Sequence, residues 1–264
     1  MRMMSIASGS TGNATYVGTD NTHILIDCGV SKKKIIDGLK KLDLTIDDID
    51  CILLSHEHSD HIKSLDIFEK THPAAVYCSQ GTADALKASG KISFDHDLIH
   101  CIKDRKTFYV GDILIDPVKI SHDAREPLCY RLDHNDKSCA VVTDLGCYDE
   151  ELISRLQNLS ALIIESNHNE NMLLAGKYPY YLKRRILSDL GHLSNESCAH
   201  LLSELLHDNI KHVALGHLSR ENNTEELACL TVKQEIGLSD TKYKEDDFKI
   251  NLATYYAGSD IFCF

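Results

Sequence analysis

The residues with most chemistry to offer stand together in Ser55-His56-Glu57-His58-Ser59-Asp60-His61-Ile62, directly after the apolar run Cys51-Ile52-Leu53-Leu54. In an extended segment residues i and i+2 point the same way, so His56 and His58 can hold one cation together. Asp60 and His61 then open a helical pattern, with Asp60 or Ser59 suited to its N-cap, and the turn carries both to a neighbouring point. An ion needs three or four nitrogen or oxygen ligands, so the stretch seeds two sites and completes neither. The zincin motif H-E-x-x-H does not apply, because Asp60 stands where that motif needs its second histidine. The missing ligands must come from elsewhere, and His122, Asp144 and His217 are the candidates. An aspartate between two ions can bridge them, one carboxylate oxygen to each.

These candidates share a position: each ends a short apolar run. His23–Ile26 ends at Asp27, Ile113–Ile120 reaches His122, Ala140–Thr143 ends at Asp144, Ala161–Ile164 at Glu165, and Val213–Gly216 at His217. Such runs read as strands buried on both faces. Between them lie helical patterns at Lys32–Leu42, Asp60–Thr71, Gly81–Ser89, Tyr148–Gln157, Tyr180–Leu190, Asn195–His207 and Glu225–Ile236. Cys129–Asp144 reads as a hairpin turning through Asp133–Lys137. Strands alternating with helices predict a layered α/β sandwich. Open α/β sheets bind ligands beyond the carboxyl ends of their strands, so ionisable residues at these ends predict one shared site. The tail from Ser239 is acidic at Glu245, Asp246 and Asp247, then regains strand character over Phe248–Tyr256, as an edge strand would.

Composition narrows the class. The 264 residues, 43% hydrophobic and 26% charged, are those of an ordinary globular protein. No apolar window is long enough for a membrane span, and the N-terminus does not read as a signal peptide, so a cytoplasmic location is expected. Ten cysteines without a C-x-x-C exclude a zinc ribbon and make a disulfide framework unexpected. The net charge of −12 argues against a broad electrostatic grip on nucleic acid but leaves room for a small site centred on bound cations. Histidine is the unusual residue: 15, against 6 Phe and no Trp.

The run His56-x-His58-x-Asp60-His61, with Asp27 before it and His122, Asp144 and His217 after it, resembles the metallo-β-lactamase superfamily. The likeness spans nearly the whole chain, and implies a single domain over residues 1–264 with the αββα fold. It further implies that His56, His58 and His122 hold one divalent ion, that Asp60, His61 and His217 hold the other, and that Asp144 bridges. Asp27 is implied to brace the ligand loop rather than bind metal. Imidazole-rich ligation favours zinc, with manganese or iron as alternatives.

Two details point to a branch. Glu165, in Ile163-Ile164-Glu165-Ser166-Asn167, and His192, in Gly191-His192-Leu193-Ser194, are similar to a Glu and His pair of the ribonuclease Z-like branch, where the pair delivers a proton to the leaving oxygen. Ile164 stands where ribonuclease Z has a His, and no long arm for gripping tRNA is inserted. The blocks Gly191–Glu196, Gly216–Asn223 and Ser5–Asn13 are more similar to a bacterial WalJ (YycJ)-type group associated with double-stranded DNA 5′-to-3′ exonuclease activity. The reading is therefore a dinuclear metal-dependent phosphodiesterase acting on DNA. Two cations lower the pKa of a bridging water, giving hydroxide as nucleophile. Asp60, His192 and Glu165 are the expected catalytic residues, with His192 the general acid kept protonatable by Glu165. A thioester or lactam hydrolase of the same fold is the alternative, and a non-catalytic signalling or binding module a third.

Two further stretches bear on substrate. Ser8, Ser10 and Asn13 in Ser8-Gly9-Ser10-Thr11-Gly12-Asn13 are candidates for phosphate contact through hydroxyls and backbone N–H groups. Lys183, Arg184 and Arg185 follow Tyr178, Tyr180 and Tyr181, a mixture of cations and aromatics that suits a nucleic-acid strand. A plain turn and a solvated helix face are the competing explanations.

Overall fold

The computed structural model describes residues 1–90, 96–244 and 247–264. Its first half runs β1 (Arg2–Ala7), β2 (Ala14–Gly18), β3 (His23–Ile26), α1 (Lys32–Leu39), β4 (Cys51–Leu53), α2 (Ser59–Ile62), α3 (Leu65–Thr71), β5 (Ala75–Ser79), α4 (Gln80–Ser89) and β6 (Ile99–Ile102). The second runs β7 (Phe108–Val110), β8 (Ile113–Lys119), β9 (Leu128–His134), β10 (Lys137–Val142), α5 (Glu150–Arg155), β11 (Ala161–Glu165), α6 (Glu170–Ala175), α7 (Tyr180–Ile186), α8 (Asn195–Leu205), β12 (His212–Gly216), α9 (Glu225–Leu238), β13 (Ile250–Leu252) and β14 (Phe262–Cys263). The strands form two mixed 7-stranded sheets, ordered β14-β1-β2-β3-β4-β5-β6 and β13-β12-β11-β10-β9-β8-β7. The expected edge strand of the tail is β13, at the margin of the second sheet, while Glu245 and Asp246 lie outside the described residues.

Strand periodicity explains why the apolar runs are continuous. Alternate side chains point to opposite faces, and here both faces are buried. Ile24 and Ile26 of β3, with Leu53 of β4, meet Ile115, Tyr130, Val141 and Ile163 in the layer between the sheets. Leu25 and Ile52 face outward onto Ile35 and Leu39 of α1 and Phe68 of α3. On the other side Val142, Ile164 and Leu215 face Leu202 and Leu205 of α8 and Val232 of α9. Helix, sheet, sheet and helix thus make the expected αββα sandwich.

In the first sheet β3, β4, β5 and β6 are parallel, as are β10, β11, β12 and β13 in the second. Antiparallel pairing of β8 with β9 and of β9 with β10 gives β8 the direction of β10. The carboxyl ends of β3, β4, β8, β10, β11 and β12 therefore deliver Asp27, His56, His122, Asp144, Glu165 and His217. The sheets are tied there by the Tyr130 hydroxyl donating to Leu54 O at 2.6 Å and Leu128 N–H donating to Ser55 O at 3.0 Å.

The helical pattern expected over Asp60–Thr71 is divided into α2 and α3. Ser64 interrupts it, its N–H and hydroxyl both donating to Cys28 O at 3.0 and 2.9 Å. Helix α2 begins at Ser59 with His58 in the cap position, so neither Ser59 nor Asp60 caps it. Asp60 instead lies in the first turn, its carboxylate 3.5 Å from His61 Nε2.

Candidate metal centre

Each side chain of the centre is aimed by a neighbour. Asp27 accepts from Ser55 N–H at 2.8 Å, from the Ser55 hydroxyl at 2.8 Å and from His61 Nδ1 at 2.8 Å. That pairing puts the His61 proton on Nδ1 and frees Nε2, which lies 3.1 Å from Asp144 Oδ2. His122 Nδ1 donates to Gly191 O at 3.0 Å, which likewise frees its Nε2. The Ser55 hydroxyl also lies 3.0 Å from His56 Nδ1. Asp27, Asp144 and His217 adopt left-handed backbone at φ 60°, 60° and 54°, within two residues of the end of β3, β10 and β12. Non-glycine residues there cost about 1–3 kcal/mol each, and such strain concentrates at functional sites.

The candidate ligands other than Asp60 converge. One nitrogen from each of His56, His58 and His122 falls within a 4.8 Å group, as do ligand atoms of His56, His61 and Asp144, and of Asp144, Glu165, His192 and His217. Asp144 joins them: Oδ1 is 3.7 Å from His122 Nε2, while Oδ2 is 3.0 Å from His217 Nδ1. Buried polar atoms are normally hydrogen-bonded. Here His56 Nε2, His122 Nε2, Asp144 Oδ2 and His217 Nδ1 are buried without a hydrogen-bond partner among the described residues. Three imidazole nitrogens and a carboxylate oxygen, stripped of water and aimed at common points, are the donor set a divalent cation requires.

The electrostatics divide the set. Burial would lower the His61 and His217 imidazoles, but Asp144 raises His217 to about 9 and, with Asp27, holds His61 well above its usual range. These two must shed a proton to bind metal. Burial pushes the His56 imidazole well below its usual range and lowers that of His122, so both present neutral rings. Burial alone would raise the Asp144 carboxyl, but the His217 and His61 imidazoles overcome it and hold the group well below the usual carboxylate range. Neutral imidazole and ionised carboxylate are the forms that bind metal.

Beside these clusters stands a dyad. His192 Nδ1 lies 2.8 Å from Glu165 Oε1, and its ring centroid is 5.1 Å from that of His122 and 5.3 Å from that of His217. Glu165 is fully buried, and its other oxygen accepts from Leu145 N–H at 2.7 Å and Leu193 N–H at 3.4 Å. One carboxylate therefore orients His192 and also pins the loop after Asp144.

The candidate substrate residues are distributed differently. Ser8 is buried, its hydroxyl accepting from His217 N–H at 2.8 Å. Asn13 is buried too, bonded to Gly9 through both ends of its amide and lying 3.1 Å from His61 Nε2. Ser10 is exposed, on the rim of a ≈ 460 Å³ cavity that reaches Asp60. On α7, Arg185 clasps the Asp123 carboxylate and Lys183 donates to Leu174 O at 2.6 Å, while the Arg184 guanidinium is exposed, 6.0 Å from the Tyr180 ring centroid.

Several contributors went unforeseen. Asp123 Oδ1 lies 3.4 Å from His122 Nε2 and 3.9 Å from His58 Nε2, and only its adjacency to His122 hinted at this. Asn195 and Asn223 build a buried amide network. Asn223 donates to Ser166 O and Asn167 O at 3.0 Å each, Asn195 accepts from the Ser166 hydroxyl at 2.6 Å, and Asn167 donates to His217 O at 2.8 Å. The asparagines in Leu193-Ser194-Asn195 and Asn222-Asn223 thus prop His217 from behind.

Comparison with known proteins agrees with this geometry. Residues 22–217 match the family described as "Beta-lactamase superfamily domain". The chain belongs to the metallo-β-lactamase superfamily. Among its relatives, an exodeoxyribonuclease YycJ of Bacillus anthracis is 41% identical, over 87% of this chain and 86% of that one. An exodeoxyribonuclease WalJ of Streptococcus pneumoniae is 39% identical, over 89% of this chain and 88% of that one. Among solved structures, Zn(2+)-bound PqqB from Methylobacterium extorquens superposes with a TM-score of 0.71 at 12% identity, over 100% of both chains. That likeness concerns the metallo-β-lactamase fold alone.

Proposed function

We propose that this metallo-β-lactamase-superfamily chain is a dinuclear metal-dependent exodeoxyribonuclease that degrades duplex DNA from its 5′ end. The observation that carries the reading is the Glu165–His192 dyad, at 2.8 Å, set against the His and Asp clusters. The named activity of relatives about 40% identical over most of the chain supports it. In this reading His56, His58 and His122 would hold one cation, Asp60, His61 and His217 would hold the second, and Asp144 would serve both. Zinc fits the imidazole-rich set best, and manganese or iron fits its carboxylates. Divalent cations there supply an activated water near neutral pH and neutralise charge on the scissile phosphate.

The chain's own groups do the rest. Asp27 and Ser55 fix the His56 and His61 rings, and Gly191 O fixes His122. Glu165 accepts a hydrogen bond from His192 Nδ1, which orients the ring. His192 then donates a proton to the sugar oxygen as it leaves. A thioester's thiolate leaving group has less use for such an acid. Asp60 contributes as a ligand beside the reacting phosphate, and Ser10 with Arg184 offers contacts to the flanking backbone. We assign the chain to the cytoplasm as one functional unit over residues 1–264; among the described residues no helix is long and apolar enough to cross a membrane.

The test is digestion of end-labelled duplex and single-stranded DNA with added zinc or manganese, comparing native protein with His192→Ala. Stepwise, metal-dependent shortening that the variant slows by orders of magnitude is expected. A variant as fast as native removes the general-acid assignment. Full-length DNA in every metal tested, with a β-lactam or thioester hydrolysed instead, moves the site to small molecules.

A further inference from the structure

Behind Ser8, on the flank of the metal centre away from α7, lies a cluster of tyrosines and cations that none of the chemistry above uses. It is built on the turn after β13, where Thr254 and Gly258 pair as an antiparallel bridge. The turn is pinned to β1 and the loop after it: Ser259 N–H donates to Ser5 O at 2.9 Å and Ser8 N–H to Thr254 O at 3.3 Å. Tyr255 packs under the Ser8–Asn13 loop, so closely that a side chain at Gly12 would come within 3.2 Å of its ring. Tyr256 points outward, with 78% of its surface exposed.

Arg220, a few residues beyond His217, sits over both rings, its guanidinium carbon 4.4 Å from the Tyr255 centroid and 4.9 Å from that of Tyr256. Lys34 holds the turn from below, donating to Tyr255 O and, at 3.4 Å, to Tyr256 O. Between Arg220, Tyr256 and Ser8 opens a cavity of ≈ 160 Å³. Ser8 belongs to both this cavity and the metal centre, because its hydroxyl accepts from His217 N–H.

Stability does not call for this arrangement. An exposed ring contributes little to the core, and Arg220 forms no ion pair or hydrogen bond among the described residues, in a chain carrying 40 acidic against 28 basic residues. A cation outside any ion pair among the described residues, a solvent-facing aromatic and a small cavity, which Glu225 also lines, are the parts of a nucleotide subsite. Aromatic rings stack on bases of any sequence, and an adjacent guanidinium takes the phosphate.

We propose that Tyr256 and Arg220 form a stacking platform for one nucleotide of the DNA strand held at the metal centre, with the base on Tyr256 and its phosphate on Arg220. Tyr255 and Lys34 are positioning residues that hold the turn. The platform rests on the nuclease reading above. It explains how an acidic chain takes a polyanion: stacking and one local cation replace a broad basic face.

The test uses the full chain with metal and a duplex carrying a short single-stranded end, labelled with 2-aminopurine and protected from cleavage by phosphorothioate linkages. Stacking on a tyrosine quenches 2-aminopurine fluorescence. Native protein is expected to bind and quench the probe. Tyr256→Ala should bind roughly 10-fold more weakly or worse and lose the quenching. Tyr256→Phe keeps the ring and should restore both, which a fault in folding would not allow. Arg220→Ala should reduce the dependence of binding on salt by about one phosphate contact. If native protein digests unprotected DNA while Tyr256→Ala binds and quenches as native does, the platform is overturned and the nuclease reading stands. If native protein neither digests nor binds DNA, both fall. Digestion absent but quenching present and lost in Tyr256→Ala overturns the nuclease reading alone.

Discussion

His192 and Asp27 show how single residues divide the labour. The His192 side chain is 13% exposed, against full burial of the Glu165 that holds it, so it can meet a substrate while its partner cannot. Alanine at His192 should lower kcat on DNA by roughly 10²- to 10⁴-fold, the usual worth of general acid catalysis, with bound metal retained on elemental analysis. A variant that loses its metal instead would make His192 a ligand. Asp27 touches no cation in the proposed assignment, yet it fixes Ser55 and His61. Asp27→Ala should weaken metal affinity by about 10- to 100-fold in competition with a chelator, the usual effect of removing a partner behind a ligand. Unchanged affinity would mean the ligand loop holds itself. The candidate ligands were legible in sequence because a strand end followed by His or Asp is a local pattern. Asp123 and Ser55 were not, since their roles arise from distances between loops that no spacing encodes.

At the scale of elements, the strand ends aim the site and short connections hold them in register. The loop after β3 and the loop before β2 are both zipped to α2: Cys28 N–H donates to His61 O at 2.8 Å and Asn13 N–H to Asp60 O at 2.8 Å. Gly29 lies in that seam, where an added Cβ would fall 1.5 Å from Asp60 O. Gly29→Ala should therefore displace α2, lower the melting temperature and abolish metal binding together; a variant that melts and binds as native would show that the seam can open. Helix α3 carries a second liability in Glu69, which is 1% exposed, with one oxygen accepting from Ala74 N–H at 3.0 Å. Burial pushes its carboxyl up from 4.5 to about 7. The folded chain holds that proton more tightly than the unfolded one, so the contribution is full below the unfolded pKa and is lost as pH rises through about 7. Glu69→Gln should gain melting temperature over native at about pH 8 and little at about pH 5. Equal differences at both would contradict this. The continuous apolar runs disclosed β3, β4, β10, β11 and β12. Strands β1 and β2 went unread because serine and threonine interrupt their apolar residues, as in Met4-Ser5-Ile6 and Ala14-Thr15-Tyr16. The break between α2 and α3 was hidden because Ser64 bonds to Cys28, a residue remote in sequence.

At the scale of the whole molecule, the centre sits across the seam between two sheets, and its ligands come from both. His56, His58, Asp60 and His61 belong to the loops of the first sheet; His122, Asp144 and His217 belong to the second. Cations there would staple the sandwich, so stripping metal should lower the melting temperature, and adding it back should raise it by an amount that grows with metal concentration. A melting temperature indifferent to metal would place the ions elsewhere. The layered architecture was legible from alternating strands and helices, but its packing of two sheets face to face beneath the site came only with the resemblance to the superfamily. The central claim is that these two half-sites, joined through Asp144, form one metal-dependent centre that cleaves DNA. It is tested most directly by digesting 5′-labelled duplex DNA with native protein and with Asp144→Ala, each saturated with divalent metal. Metal-dependent release of label by the native chain and none by the variant is expected; equal release by both, or none by either, would contradict the account.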